Sequence, residues 1–154
     1  MRVVGHLKSA VRRAPLGFAL AALLGLPGCG DDGKIGRYPV NGSVSVDGKA
    51  AAGAVTFFCP VGGPPELQKL RPMGVTDTDG KFQLTSFEKG DGAPAGQYKV
   101  IIMWPKSGPP AQDGSVQMGP DRLQNRYMNL EKSQLTAEVK AGNNDLPPFD
   151  LKTK

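Results

Sequence analysis

Between Tyr38 and Lys152 the apolar residues fall into short runs that alternate with polar ones, and glycine or proline punctuates most of the spaces between them. A period of two residues is that of a half-buried β-strand, and runs this short leave little room for an amphipathic helix. YPVNGSVSV (38–46) sets Val40, Val44 and Val46 on one parity, and Asp47-Gly48 then supplies a hairpin turn. AVTFF (54–58) reads as the partner strand, ending at Pro60. MGVTDTDGKFQLTSF (73–87) is strand, turn, strand, with the reversal at Asp79-Gly80 and Phe82 and Leu84 facing one side. QYKVIIMWP (97–105) is apolar on both parities from Val100 to Trp104, which marks a central strand ended by Pro105. LTAEV (135–139) alternates Leu135, Ala137 and Val139, AGNND (141–145) turns the chain, and PFDLK (148–152) is a last short strand. About seven strands without a convincing helix predict an all-β fold, a β-sandwich.

The segments between the strands are expected to be loops. CPVGGPPELQKLRP (59–72) is too rich in proline and glycine for regular structure, and KSGPPAQDGSVQMGPD (106–121) is a stretch of a length usually reserved for binding or mobility. RLQNRYMNLEKSQ (122–134) has room for a turn of helix and no more.

The amino-terminal end reads differently. Arg2, Lys8, Arg12 and Arg13 occur without any acid, and the apolar run LGFALAALLGL (16–26) follows. This is the pattern of a secretory signal, too short to cross a bilayer of roughly 30 Å unaided. The run ends in LPGCG, which resembles the lipobox of bacterial lipoproteins. That resemblance implies cleavage before Cys29, acylation of its thiol and a stable hold on a lipid bilayer. The expected organisation is a signal peptide over 1–28, a lipidated cysteine with a flexible tether over 29–37, and one domain over 38–154, exported and facing the periplasm or the cell surface.

Removing residues 1–28 takes away four of nineteen basic residues and none of the fourteen acids, so the net charge falls from +5 to near +1. The basicity of the chain is thus mostly a targeting signal and gives no reason to expect nucleic acid as a partner. The only histidine, His6, goes with the leader. A domain without histidine excludes a Ser-His-Asp or Cys-His site and His-ligated zinc. With Cys29 committed to lipid, Cys59 is left as a single thiol between Phe58 and Pro60, better suited to packing than to nucleophilic chemistry. If Cys29 were not lipidated, a pair between Cys29 and Cys59 becomes available. GDGAPAG (90–96) lacks the Lys-Ser/Thr ending and following helix of a phosphate-binding loop. No catalytic residue and no cofactor are assigned.

Three candidate sites remain. Asp77, Asp79 and Asp91 offer hard oxygens of the kind calcium takes, or, alternatively, Asp77 caps a turn whose reversal is Asp79-Gly80. Trp104 and Tyr127, with Phe57, Phe58 and Phe87, can build a stacking platform for a sugar or peptide, or they can serve the core. Gly48, Gly53, Gly80 and Gly96 sit where a tight turn or a positive φ is expected. Tyr98 is expected to lay its ring over the sandwich edge with its hydroxyl bonded to the opposite turn.

The stretches VNGSVSVDGKAAAGAVTFF, VTDTDGKFQL and GAPAGQYKVII together resemble carboxypeptidase regulatory-like domains, which have a transthyretin-like Greek-key sandwich. From Val40 to Leu151, including RYMNLEKSQLTAEVKAGNNDLPPFDL, the chain resembles the small lipoproteins that planctomycetes encode in many copies. The resemblance implies a fold and no agreed catalytic residues. The function expected is non-catalytic binding of an envelope protein or polysaccharide through the 59–72 and 106–121 loops. Two alternatives stand beside it: a purely structural envelope component, and a carboxylate-based or calcium-dependent enzyme.

Overall fold

The computed structural model describes residues 35–110 and 116–153, so the expected signal peptide, Cys29 and most of the expected tether lie outside the described residues. All seven expected runs are strands. Four more are short or lie in segments expected to be loops.

Strand β1 (Val40–Val46) organises the first sheet. It pairs antiparallel with β2 (Lys49–Ala50) and β5 (Lys81–Gln83), and parallel with β10 (Asn144–Asp145) and β11 (Phe149–Leu151). The second sheet has the order β4-β3-β6-β9, with β3 at Val55–Pro60, β4 at Met73–Val75, β6 at Gly96–Met103 and β9 at Thr136–Val139. AVTFF is therefore not the partner of the first strand: β3 belongs to the other sheet, between β4 and β6. The partner that Asp47-Gly48 supplies is the two-residue β2, and both turn residues have positive φ, 49° and 79°. This is the type I′ geometry that matches strand twist. Likewise, the Asp79-Gly80 reversal carries the chain from one sheet to the other rather than closing a simple hairpin.

The alternation read from sequence puts one core between the sheets. Val40, Val44, Phe82, Leu84 and Leu151 meet Phe58, Tyr98, Val100, Ile102 and Val139, all nearly inaccessible. Each such side chain contributes roughly 1.5–3 kcal/mol of transfer free energy. Phe58 sits at the centre, its ring centroid 5.8 Å from that of Tyr98, 6.2 Å from Phe82 and 6.3 Å from Phe149, all at tilted or edge angles. Tyr98 is thus in the core and not over an edge, 1% exposed, and its hydroxyl donates to the Pro94 carbonyl at 2.7 Å, four residues upstream. Burial pushes its pKa up to about 12.

Two expected loops have structure. Within 106–121, β7 (Pro105–Pro110) and β8 (Val116–Asp121) form a two-stranded antiparallel ribbon, irregular in register. Proline and glycine density hid it, because such residues are tolerated only at edges, and a two-stranded ribbon is all edge. Within 59–72, β3 runs on to Pro60 and a single helical turn, α1 (Pro65–Gln68), follows with proline in its first turn. Pro60 fits in the strand because its ring replaces an N–H on the side beyond β4's short reach. Residues 122–134 form turns.

Candidate functional site

The second sheet has an unusual outward face. The register aligns Val75, Val55 and Met103 in one row and Met73, Phe57 and Ile101 in the next. Side chains on the opposite parity, Phe58, Val100 and Ile102, already fill the core, so these six point away from it. Val55 is buried and Phe57, Ile101 and Met103 are half-buried, while Met73 is 37% and Val75 54% exposed. The two-parity apolar run of β6 is the signal that foretold this face; what sequence missed is that β4 supplies its exposed border. A cleft of about 700 Å³ lies along that border, where Met73 and Val75 meet the polar side chains Asn41, Lys81, Gln83 and Thr85.

Gly42 and Gly74 shape the cleft. An added Cβ at either would fall 2.5 Å or 2.8 Å from the Phe82 ring, which lies between the two strands and joins the cleft wall to the core. On the outward face of the first sheet, Gln83 donates to Asn41 at 3.2 Å and Asn41 donates to Asp145 at 3.0 Å, forming a polar row across β5, β1 and β10.

Two of the three aspartate carboxylates have partners within their turns. Asp77 accepts the backbone N–H groups of Asp79 and Lys81, each at 2.9 Å, as a turn cap. Gly80 follows at φ 75°, where an added Cβ would lie 2.6 Å from the Val44 carbonyl oxygen. Asp91 accepts the N–H groups of Ser86 at 2.7 Å and of Phe87 and Glu88 at 3.1 Å, and pairs with Arg37 at 2.9 Å. Burial works against the Asp91 charge, but the hydrogen bonds from Ser86, Glu88 and Phe87 and the Arg37 guanidinium outweigh it and hold the carboxyl below its ordinary pKa. Arg37, expected to end the tether, is therefore fixed to the domain, its guanidinium 4.9 Å from the Phe87 ring centre. Among the described residues no group of three or more His, Cys, Asp or Glu is placed to hold a metal; Asp77 and Asp91 cap turns, and Asp79 stands at the reversal before Gly80.

The aromatic candidates are also tied into the fold. The Trp104 indole N–H donates to the Ala52 carbonyl at 2.8 Å, and Arg122 stacks over its ring at 4.7 Å. Tyr127 accepts the Lys152 N–H at 2.9 Å, and both rings are half-buried against the core. Phe58 is fully buried, which leaves Phe87, 60% exposed, apart from the rest. Gly53 and Gly96 both have positive φ, as does Gly48. The buried Cys59 thiol has its pKa raised by burial, with Arg71 acting weakly in the opposite direction.

No protein-family model matches the chain, and no curated protein sequence matches it. Among solved structures, a 9R-lipoxygenase from Cyanothece PCC8801 aligns over 75% of this chain at 13% identity with a TM-score of 0.40. A DUF3823 family protein from Parabacteroides merdae ATCC 43184 aligns over 77% at 13% identity with a TM-score of 0.36. The aligned region spans 16% of the first of these chains and 46% of the second.

Proposed function

We propose that the chain is an exported lipoprotein, held to a bilayer through acylated Cys29, whose domain binds a protein partner without catalysing a reaction. The sandwich is read as a transthyretin-like, carboxypeptidase regulatory-like Greek key of the kind found in small planctomycete lipoproteins. The observation that carries the binding reading is the outward apolar face of β4, β3 and β6, with Met73 and Val75 exposed beside a cleft of about 700 Å³. Apolar side chains aligned on a rigid sheet gain most from a partner that also brings apolar surface, which favours protein over polysaccharide. Placing the binding surface here moves it from the 59–72 and 106–121 loops to the sheet itself.

The polar row of Gln83, Asn41 and Asp145 supports a second reading, an envelope polysaccharide laid across the first sheet. Photo-crosslinking in native cells separates the two. A crosslinker at Val75 is expected to capture one discrete protein, and the same group at Gln83 is expected to capture none. Capture of wall polysaccharide from Gln83 with nothing from Val75 would reverse the preference. Mass spectrometry of the mature amino terminus tests the anchor separately, and an unmodified Cys29 would remove it.

A further inference from the structure

We propose that the free edge of β9 accepts an extended peptide strand with a cationic side chain opposite Glu138, a partner surface separate from the outward apolar face. Register supplies the first step. Val100 N–H donates to the Leu135 carbonyl at 2.8 Å, and Tyr98 and Gly96 stand opposite Ala137 and Val139. In an antiparallel ladder the residues exchanging bonds alternate, so Leu135, Ala137 and Val139 turn their backbone groups to β6. Thr136 and Glu138 turn theirs the other way, and neither has a backbone partner among the described residues.

The edge is bounded as well as open. The buried Asn144 side chain accepts the Lys140 N–H at 2.8 Å and donates to the Lys140 carbonyl at 3.0 Å, so the next outward position is already satisfied. What remains is two residues' worth of donors and acceptors. A cleft of about 660 Å³ runs beside them between β9 and the 143–149 segment, with Ala137, Leu146 and Phe149 contributing apolar surface, Glu138 and Asp145 negative charge, and Lys140, 3.6 Å from the Glu138 carboxylate, a positive one.

These features specify the occupant. A strand added antiparallel to β9 places alternate residues over the gap between the sheets, where apolar side chains fit, and the others on the solvent side, where the exposed Glu138, paired only at 3.6 Å with the equally exposed Lys140, favours a cation over an anion. Pairing with a second copy is less well matched, because the register that sets Glu138 against the other copy's Lys140 needs the backbone groups that Asn144 occupies.

The test uses residues 33–154, which form one compact unit with their own core, and the blocked peptide Val-Lys-Val-Thr-Val as probe. Amide exchange and chemical shifts are followed by NMR. Saturable shifts centred on β9, with the Thr136 and Glu138 amides exchanging about tenfold more slowly, are expected. N-methylation of the probe lysine, or its replacement by glutamate, is expected to weaken binding about fivefold or more. Glu138→Pro removes an outward N–H and no bond to β6, so it should keep the thermal midpoint and lose the probe. If that variant fails to fold, the N-methylated probe carries the test. Shifts elsewhere, equal binding of the N-methylated probe, or protection that grows with protein concentration alone would overturn the proposal.

Discussion

The β4-β3-β6-β9 sheet ends differently on its two sides. At β4, Met73 and Thr85 exchange both backbone bonds, at 2.9 and 2.8 Å, so the segment after β5 bridges that edge at its amino-terminal residue. Behind it stands the Asp91-capped loop, itself bridged to Tyr38 through Ala93 at 2.9 and 3.0 Å. At β9, Thr136 and Glu138 face outward without such a cover among the described residues. The contrast teaches that polar side chains cap both flanks, Asp91 on one and Asn144 at Lys140 on the other, but leave Thr136 and Glu138 open. Exposed edges invite pairing, and here one is bridged at Met73 while the other is merely short and charged.

The largest expected effect lies on the bridged side. At Gly92, φ is 81° and an added Cβ would stand 1.7 Å from the Tyr38 carbonyl oxygen, so Gly92→Ala must break the Tyr38–Ala93 bridge or move it. A loss of about 3 kcal/mol or more is expected in urea unfolding; an unchanged midpoint would show that the closure contributes nothing.

Asp91→Ala is expected to cost about 1–3 kcal/mol, because it strands the N–H groups of Ser86, Phe87 and Glu88. The pH dependence has a definite sign. The folded pKa of Asp91 lies below its unfolded value, so its contribution is present above about pH 4 and is lost as pH falls through the lowered folded value. Acid titration of stability should therefore be flatter in Asp91→Ala than in the parent chain.

Between the edges, Tyr98→Phe is expected to cost about 1–2 kcal/mol by leaving the Pro94 carbonyl without its donor. A phenol whose folded pKa is raised, here to about 12 from an ordinary 10, stabilises the fold below pH 10 and ceases to as pH rises through 12. Alkaline unfolding should thus be shallower in Tyr98→Phe. Smallest of all, Thr136→Ala on the open edge should change stability by no more than about 0.5 kcal/mol in the same urea assay. A larger loss would mean that the edge is covered after all, and the comparison between the two flanks would fail.

Much of the fold could be read in advance because alternation is a local property. Val40, Val44 and Val46, or Leu135, Ala137 and Val139, carry their burial in their spacing alone. Asp47-Gly48 and Asp79-Gly80 declare their turns because positive φ is intrinsic to the residues that adopt it. Pairing is not local in this way. Nothing in AVTFF says that its neighbours are β4 and β6 rather than β1, since any β-branched run offers the same backbone groups. The ribbon of β7 and β8 was hidden for a related reason, its proline-rich strands lacking the propensity that flags a strand in isolation.

The candidate sites divide along the same line. Asp77 could be read either as a calcium ligand or as a turn cap, and the folded chain shows the cap; that Asp91 takes three backbone N–H groups and Arg37 was not legible, because those partners come together only in the fold. Trp104 and Tyr127 could be read as a platform or as core, and only packing supplies the Ala52, Arg122 and Lys152 partners that hold them. By itself the sequence determined the all-β class, the positions of the seven alternating strands, the turn glycines and the buried parity, because those follow from short-range sterics and side-chain spacing. The tertiary structure alone decided which strands are neighbours, which edge is bridged and which carboxylates are already satisfied, because those depend on groups distant in the chain competing for the same hydrogen bonds.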